Sequence, residues 1–397
     1  MIKLADKNSC TGCMACVDAC SKGVIKGAIE QDGHWYPHLS IDKCIECGLC
    51  VKSCPVGKSY TNANSSSNAY AAWSNIGDFR QTSSSGGVFP TISQYIIENG
   101  GYVAGVCMEN SQAKHIVISD VKDIPLLQGS KYQQSDSRGI YAKCKELLLA
   151  NKIVLFSGTP CQVAGMLSYL KKPYPNLITI DVICAGVPSR LVIDKYRKEV
   201  PNSQVVTYRD KVYGWTGGLN MTTIESGVKI RKSVNGDILG EAVAGHQTDR
   251  YSCYDCKFVG ESRKADITIG DFWGGGEYFP EQKNRGLSVL IVHSNKGLDV
   301  IDKSGVEYHQ IPLINAIKKN PRIVMGTNIV GKWRLERIFL TKWINSLSYK
   351  NYAALYGGKY SAKWHLLIKL YRYAMWKLGL KYSVNKIKKY IRTYNEC

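Results

Sequence analysis

Cys10-Thr11-Gly12-Cys13-Met14-Ala15-Cys16-Val17-Asp18-Ala19-Cys20 spaces four cysteines as C-x2-C-x2-C-x3-C, and the same spacing returns 34 residues later at Cys44, Cys47, Cys50 and Cys54. A cubane [4Fe–4S] cluster takes four thiolates, one on each iron. Three cysteines at C-x2-C-x2-C wrap a tight loop around one cluster, and the fourth lies too far along to close the same loop. In bacterial ferredoxin runs of this spacing, the fourth Cys serves the other cluster. The expected ligand sets are therefore Cys10, Cys13, Cys16 and Cys54 for one cluster, and Cys44, Cys47, Cys50 and Cys20 for a second. Pro55 follows Cys54 as that run asks, whereas Ser21 stands where the first copy would carry proline. The exchange weakens a turn preference and leaves the thiols in place. Two zinc sites are the alternative, but zinc motifs separate their C-x2-C pairs by a long loop.

Working outward, the chain has 397 residues, 44% hydrophobic and 21% charged. That is enough for two or three domains with real cores, and it excludes wholesale disorder, collagen and coiled coil. No apolar run is long enough to span a bilayer. The opening MIKLADKNSC lacks the apolar stretch and small-residue cleavage site of a secretion signal. Eight of the fifteen cysteines fall within the first 54 residues. Without a secretion signal, this fits reduced thiols holding metal in the cytoplasm better than an extracellular disulfide scaffold.

Residues 1–58 are thus expected to form an α+β ferredoxin-like two-cluster domain. Residues 59–69, polar and small, are expected to be a linker. From residue 70 to 312 short apolar runs alternate with helical periodicity, which predicts a mixed α/β domain. Predicted strands lie at 102–107, 115–119, 153–156, 177–183, 267–270 and 287–293, and predicted helices at 88–98, 140–150 and 162–170. Residues 313–397 are expected to be a helical basic C-terminal tail. Of the net charge of +20, residues 316–397 hold +16 (eighteen basic and two acidic side chains), against +1 for residues 1–60. Within it, residues 363–378 repeat apolar side chains at helical steps among Lys, Trp and Tyr. Such a helix suits the headgroups of an anionic membrane, and equally a helix packed on its own domain with a solvated basic face. An acidic redox or enzyme partner explains the charge as well. Nucleic acid is not expected, because no binding motif accompanies the charge.

A second set of cysteines is less decisive. Cys161 lies in Phe156-Ser157-Gly158-Thr159-Pro160-Cys161-Gln162, at a strand–loop–helix junction, and Cys184 ends a predicted strand. Cys253 and Cys256 form a lone C-x2-C. By spacing alone these four are a third metal site, half a zinc site, or a thiol pair with two buried cysteines. Cys107, Cys144 and Cys397 lack partners. Ser83-Ser84-Ser85-Gly86-Gly87-Val88 opens a predicted helix and could admit an anion to its N–H groups, as could Gly158-Thr159-Pro160. A plain capped helix start explains either as well. No Rossmann or Walker loop is present. No catalytic acid stands out: His246 reads as structural or surface, and Asp271 as a cap.

Laid out in order, these blocks resemble the coenzyme F420 hydrogenase/dehydrogenase β-subunit family in its ferredoxin-fused form, over about residues 1–310. The carriers are the double cysteine run, Ser84–Val88, Gln128-Gly129-Ser130-Lys131-Tyr132, Gly158–Gln162, Cys184-Ala185-Gly186-Val187-Pro188-Ser189, Cys253-Tyr254-Asp255-Cys256 and residues 266–274. The resemblance implies a flavoprotein: an FAD-binding α/β domain that passes electrons between a two-electron organic substrate and one-electron carriers. It makes Ser85, Gly86, Gly87, Lys131, Gly158 and Thr159 candidate FAD contacts. It also makes Cys161, Cys184, Cys253 and Cys256 candidate ligands of a third [4Fe–4S] cluster. The partner implied is a redox protein or small electron carrier. The length, fusion and basic tail look most like members found in bacterial surface-polysaccharide gene sets, and a contact with the inner face of the membrane would suit the tail. The other reading is an electron-transfer subunit with no substrate site of its own.

Overall fold

The computed structural model describes residues 2–61, 67–216, 220–234, 237, 239–240, 246, 248–326 and 346–348. At its front, β1 (Ile25–Ile29) and β2 (Trp35–Leu39) form an antiparallel hairpin. The two cysteine runs flank it, and they repeat in backbone as well as in sequence. Gly12 and Glu46 are both left-handed, with φ of 66° and 52°, as are Met14 and Gly48, with φ of 61° and 71°. Each left-handed pair bends the chain between cysteines and delivers it into a four-residue helix, Ala15–Asp18 or Leu49–Lys52. A non-glycine residue pays roughly 1–2 kcal/mol for that conformation. Met14 and Glu46 accept it because the loop must turn its thiols to one side.

The body is an eight-stranded mixed sheet. Its strands are β3 (Asn68–Trp73), β4 (Tyr102–Glu109), β5 (Gln112–Ile118), β6 (Val154–Gly158), β7 (Leu177–Val182), β11 (Ile267–Asp271), β12 (Ser288–Val292) and β13 (Glu307–Ile311). They lie in the order β13-β3-β12-β11-β7-β6-β4-β5. β8 (Gln204–Thr207), β9 (Asn220–Glu225) and β10 (Val228–Ser233) make a separate antiparallel sheet beside the Leu191–Glu199 helix. β4, β6, β7 and β11 are mutually parallel, and β3 runs with them because it is antiparallel to β12, which is antiparallel to β11. Five strands therefore end at one edge, where the loops leaving an α/β sheet gather ligands.

Period-two alternation divides the core between the two faces. Leu155, Ile178 and Ile180 pack with the Val88–Glu98 and Asn295–Ser304 helices through Val88, Ile92, Ile96, Val300 and Ile301. Val154, Phe156 and Leu177 face the other way, onto Ile140, Tyr141, Val163 and Met166 of the Ile140–Leu149 and Pro160–Leu170 helices. Cys13 and Ala15 of the front unit join this second cluster, so the two units share a core.

Two expected boundaries move. Tyr60 is only 3% exposed and donates its hydroxyl to Asp181 Oδ2 at 2.8 Å. β3 begins at Asn68, inside the stretch expected to be linker. Residues 62–66 lie outside the described residues. At the other end, Leu313–Lys319 and Arg322–Met325 bury Leu313, Ala316, Ile317 and Ile323 against Phe272, Val289 and Ile311, so the α/β body continues to residue 326 rather than 312. The amphipathic stretch 363–378, Trp333, Trp343 and Cys397 lie outside the described residues. Among those described, no helix is long and apolar enough to cross a membrane.

Candidate functional site

Cys10, Cys13, Cys16 and Cys54 line one cavity of about 370 Å³, which Cys50 also borders. Cys20, Cys44, Cys47 and Cys50 line a second, tighter void of about 20 Å³. The first space thus draws Cys10, Cys13 and Cys16 from one copy of the repeat and Cys54, with Cys50 at its border, from the other; the second draws Cys44, Cys47 and Cys50 from one copy and Cys20 from the other. Desolvation pushes the Cys13 thiol up to about 12 and raises Cys16, Cys50 and Cys54 as well. Neighbouring sulfurs add to this: Cys16 feels Cys13, Cys10, Cys54 and Cys50, and Cys50 feels Cys20 and Cys44. Buried thiols so raised become thiolates only by binding a cation. Among the described residues, no three His, Cys, Asp or Glu side chains close on a single-ion position. A cubane instead offers four irons, each taking one sulfur. Four soft donors around one cavity fit that group.

The other four cysteines lie within electrostatic reach of one another. Cys161 lies in the first turn of the Pro160–Leu170 helix after β6, and Cys184 follows β7. Cys253 belongs to the Tyr251–Asp255 turn, which Cys256 ends. Their thiols are raised chiefly by desolvation, Cys184 to about 12, and they raise one another: Cys253 feels Cys184, Cys256 and Cys161. Cys161 also feels Cys13, which ties this set to the first one. Cys107 and Cys144 are buried in the hydrophobic core.

Several of the candidate flavin contacts are engaged within the chain itself. A Cβ on Gly86 would stand 2.5 Å from the Ala72 carbonyl oxygen, and one on Gly87, itself at φ 82°, 3.0 Å from the Arg80 backbone. Ser85 Oγ donates to the Leu287 carbonyl at 2.6 Å, and the Gly86 N–H to Ser288 Oγ at 2.9 Å. The glycines therefore have a packing reason of their own. Thr159 forms a capping box with Gln162, whose Oε1 accepts the Thr159 N–H at 3.0 Å. A Cβ on Gly158 would lie 3.1 Å from the Gln162 side chain. The structure does bring two distant blocks together: Ser84 Oγ accepts from the Ser130 N–H and hydroxyl at 2.9 and 3.0 Å, beside Lys131. Lys131 Nζ donates to the Gln128 carbonyl, and desolvation lowers its ammonium to about 8. Lys211 donates to the Arg80 and Ser85 carbonyls and is lowered to about 7 by the same cause.

His246 is buried and paired with Asp249 Oδ2 at 3.0 Å. Asp271, expected to cap a turn, instead receives Arg209 Nη1 at 2.7 Å. Sequence reasoning missed two buried arginines altogether. Arg263 pairs with Asp181 at 3.1 Å, the two being 1% and 0% exposed, and it lies close enough to Cys184 and Cys256 for its charge to oppose the rise of both thiols. Arg250 donates to the carbonyl of Cys10. Nothing in composition or periodicity marks either residue; the one signal is that each stands within seven residues of the C-x2-C pair.

Thiols gathered in sets at the front unit and at the carboxyl edge of a mixed sheet define an iron–sulfur α/β protein. Residues 69–139 match the N-terminal part, and residues 151–313 the C-terminal part, of the coenzyme F420 hydrogenase/dehydrogenase β subunit, while residues 9–58 match the 4Fe-4S dicluster domain. The chain belongs to the coenzyme F420 hydrogenase/dehydrogenase β-subunit family and carries the dicluster domain ahead of it. Over 52 residues it is 31% identical to an uncharacterized ferredoxin of Methanocaldococcus jannaschii, covering 13% of this chain and 66% of that one. A chain of the F420-reducing [NiFe] hydrogenase complex from Methanosarcina barkeri superposes with a TM-score of 0.43 at 15% identity, over 72% of this chain and 91% of that one.

Proposed function

We propose that this chain is an FAD- and iron–sulfur-dependent oxidoreductase, moving electrons between a two-electron organic substrate and a one-electron carrier. The observation that carries the reading is the contiguity of three thiol sets. Cys47 is exposed, Cys50 borders both front cavities, and Cys13 of the inner set lies beside the Pro160–Leu170 helix that carries Cys161 in its first turn. A chain of sites from the surface to the sheet edge suits electron transfer and nothing simpler. When bound, the clusters exchange single electrons and FAD converts these to hydride equivalents.

In this reading Cys10, Cys13, Cys16 and Cys54 hold one cluster, Cys20, Cys44, Cys47 and Cys50 a second, and Cys161, Cys184, Cys253 and Cys256 a third. The chain's other residues orient and insulate. Partial burial of the inner sets limits their contact with water, and the carboxyl edge would offer the Ser85–Gly87 loop, Lys131 and Gly158–Thr159 to FAD. Lys131 and Lys211, whose ammoniums desolvation lowers to about 8 and about 7, hold their charge more firmly when an anionic group such as a pyrophosphate arrives. The redox partner is a protein or small carrier that reaches the exposed Cys47 end.

Iron, sulfide, zinc and flavin per chain after anaerobic purification test the proposal. About twelve irons (three clusters of four) with one FAD are expected. About eight irons without flavin would reduce the chain to an electron-transfer adaptor, and one zinc in place of four irons would reassign the Cys161 set as structural.

A further inference from the structure

We propose that Arg250 is a positioning residue that sets the reduction potential of the Cys10 cluster and ties that cluster to the third thiol set. The inference rests on the ligand reading above. Arg250 is 1% exposed. Its guanidinium donates from Nε to the Cys10 carbonyl at 2.7 Å and from Nη1 to the Trp35 carbonyl at 2.8 Å and Gln134 Oε1 at 3.2 Å. Nη2 lies 3.5 Å from the Cys10 sulfur, and Cζ sits 4.0 Å over the Tyr36 ring. Two carbonyls, an amide and an aromatic face are neutral. A buried cation costs several kcal/mol unless an anion faces it, and the Cys10 sulfur becomes that anion once it ligates iron.

The backbone of the same residue joins the other thiol set. The Arg250 carbonyl accepts the Cys253 N–H at 2.9 Å, and its own N–H donates to the Val187 carbonyl at 2.9 Å, three residues after Cys184. One residue thus grips the Cys10 loop with its side chain and the Cys184 and Cys253 loops with its main chain. Gly12 makes the fit possible: a Cβ there would stand 2.6 Å from Arg250 Nη1 and 2.2 Å from Gln134 Nε2. Hydrogen bonds to ligand sulfurs and local charge are what set cluster potentials. Reduction adds a negative charge, which a fixed guanidinium stabilises, so Arg250 holds this cluster's potential up relative to its neighbours.

The test is potentiometric titration, followed by EPR, of the full chain purified anaerobically as wild type, Arg250→Met, Arg250→Lys and Cys10→Ala. Cys10→Ala identifies the signal of this cluster by losing it. In Arg250→Met that signal alone is expected to shift down, its reduced-to-oxidised ratio at fixed poise falling about tenfold, which is about 59 mV for one electron. Arg250→Lys keeps the charge without the planar fork, and a several-fold fall is expected. Unchanged potentials in both variants overturn the proposal, as does an equal shift of every cluster. Loss of four irons in both variants also overturns it, because Arg250 would then be needed to build the site rather than to tune it. If Arg250→Met alone fails to assemble, the lysine variant decides by the same criterion. Cys10→Ala with full iron and every signal intact would sink the ligand reading itself, whatever Arg250 does.

Discussion

The sulfur of Cys13 lies 3.0 Å from the point where a Cβ on Gly165 would stand. Gly165 sits one helical turn beyond Cys161, so the front unit docks its inner cysteine directly on the helix that presents the third set. The contact is fixed from both ends. Tyr141 OH and Ser137 Oγ donate to the Cys13 carbonyl at 2.7 and 2.9 Å, and Asp18 accepts the N–H of Gly139 at 2.6 Å, at the start of the Ile140–Leu149 helix. Here a missing side chain lets two candidate redox sites approach.

Gly165→Leu is therefore expected to force the two units apart. Overpacking of a filled core costs about 1–3 kcal/mol, and here it also lengthens the path between the sets. A fall in melting temperature together with slower reduction of the inner cluster by a donor that enters at the Cys47 end would follow. A variant as stable and as fast as wild type would show that the docking is not tight.

The crossed grouping of the front thiols predicts pairs of variants with the same phenotype. Cys54→Ser should abolish the EPR signal that Cys10→Ser abolishes, and Cys20→Ser the one lost in Cys44→Ser. Cys253→Ser should remove about four irons and leave about eight, with both front signals intact. Sequential pairing, in which Cys20 went with Cys10, would contradict the shared borders of the two cavities.

The cysteine spacing announced the front unit because each ligand run is local: four thiols within eleven residues leave the loop little choice. The parallel strands β4, β6, β7 and β11 were legible for a similar reason, since a strand buried on both faces reads as an apolar run. β3 was not. Asn-Ala-Tyr-Ala-Ala-Trp has no β-branched residue, and it is a strand because β12 and β13 pair with both of its edges. β13, with Glu-Tyr-His-Gln-Ile, is an edge strand too polar to show by hydropathy. The Gly86-Gly87 pair has a packing reason that composition does not show, since its smallness answers to the close approach of the Ala72 carbonyl and the Arg80 backbone. Arg250 and Arg263 escaped notice because their partners lie far away in sequence, and only the tertiary fold brings them together.

The Tyr60 hydroxyl is one anchor of the segment between the front unit and β3. Tyr60 donates to Asp181, which also accepts from Arg263 and from Thr268 Oγ1 at 2.5 Å. A hydrogen bond to a charged group contributes about 1.5–3 kcal/mol, and Tyr60→Phe should lose about that much. Asp181→Asn leaves the Arg263 charge buried without its counter-ion, and about 3–5 kcal/mol is expected from that. Urea midpoints of the two variants give the order: a Tyr60→Phe protein less stable than Asp181→Asn would contradict it.

Acid should weaken the fold through His115. Its ring is buried, with Nε2 directed at the Ser157 carbonyl at 3.2 Å and Nδ1 at Ser135 Oγ at 3.0 Å, while Ser135 Oγ accepts Gln162 Nε2 at 2.8 Å. A carbonyl only accepts, so Nε2 carries the proton and Nδ1 accepts the serine hydroxyl; the network is complete with a neutral imidazole. Desolvation, opposed by the Ser157 carbonyl, lowers His115 from 6.5 to about 4. Above pH 6.5 both folded and unfolded chains hold it neutral. Between 6.5 and 4 only the unfolded chain binds the proton, so stability is lost as pH falls across that window. A shift of this size corresponds to roughly 3 kcal/mol at its full extent. His293, lowered to about 3 by burial and by the Arg263 charge, adds loss of the same sign. His115→Gln can still donate and accept but does not titrate. Its urea midpoint should therefore decline less than that of wild type between pH 6.5 and 5, and parallel declines would mean that His115 is already charged in the folded protein.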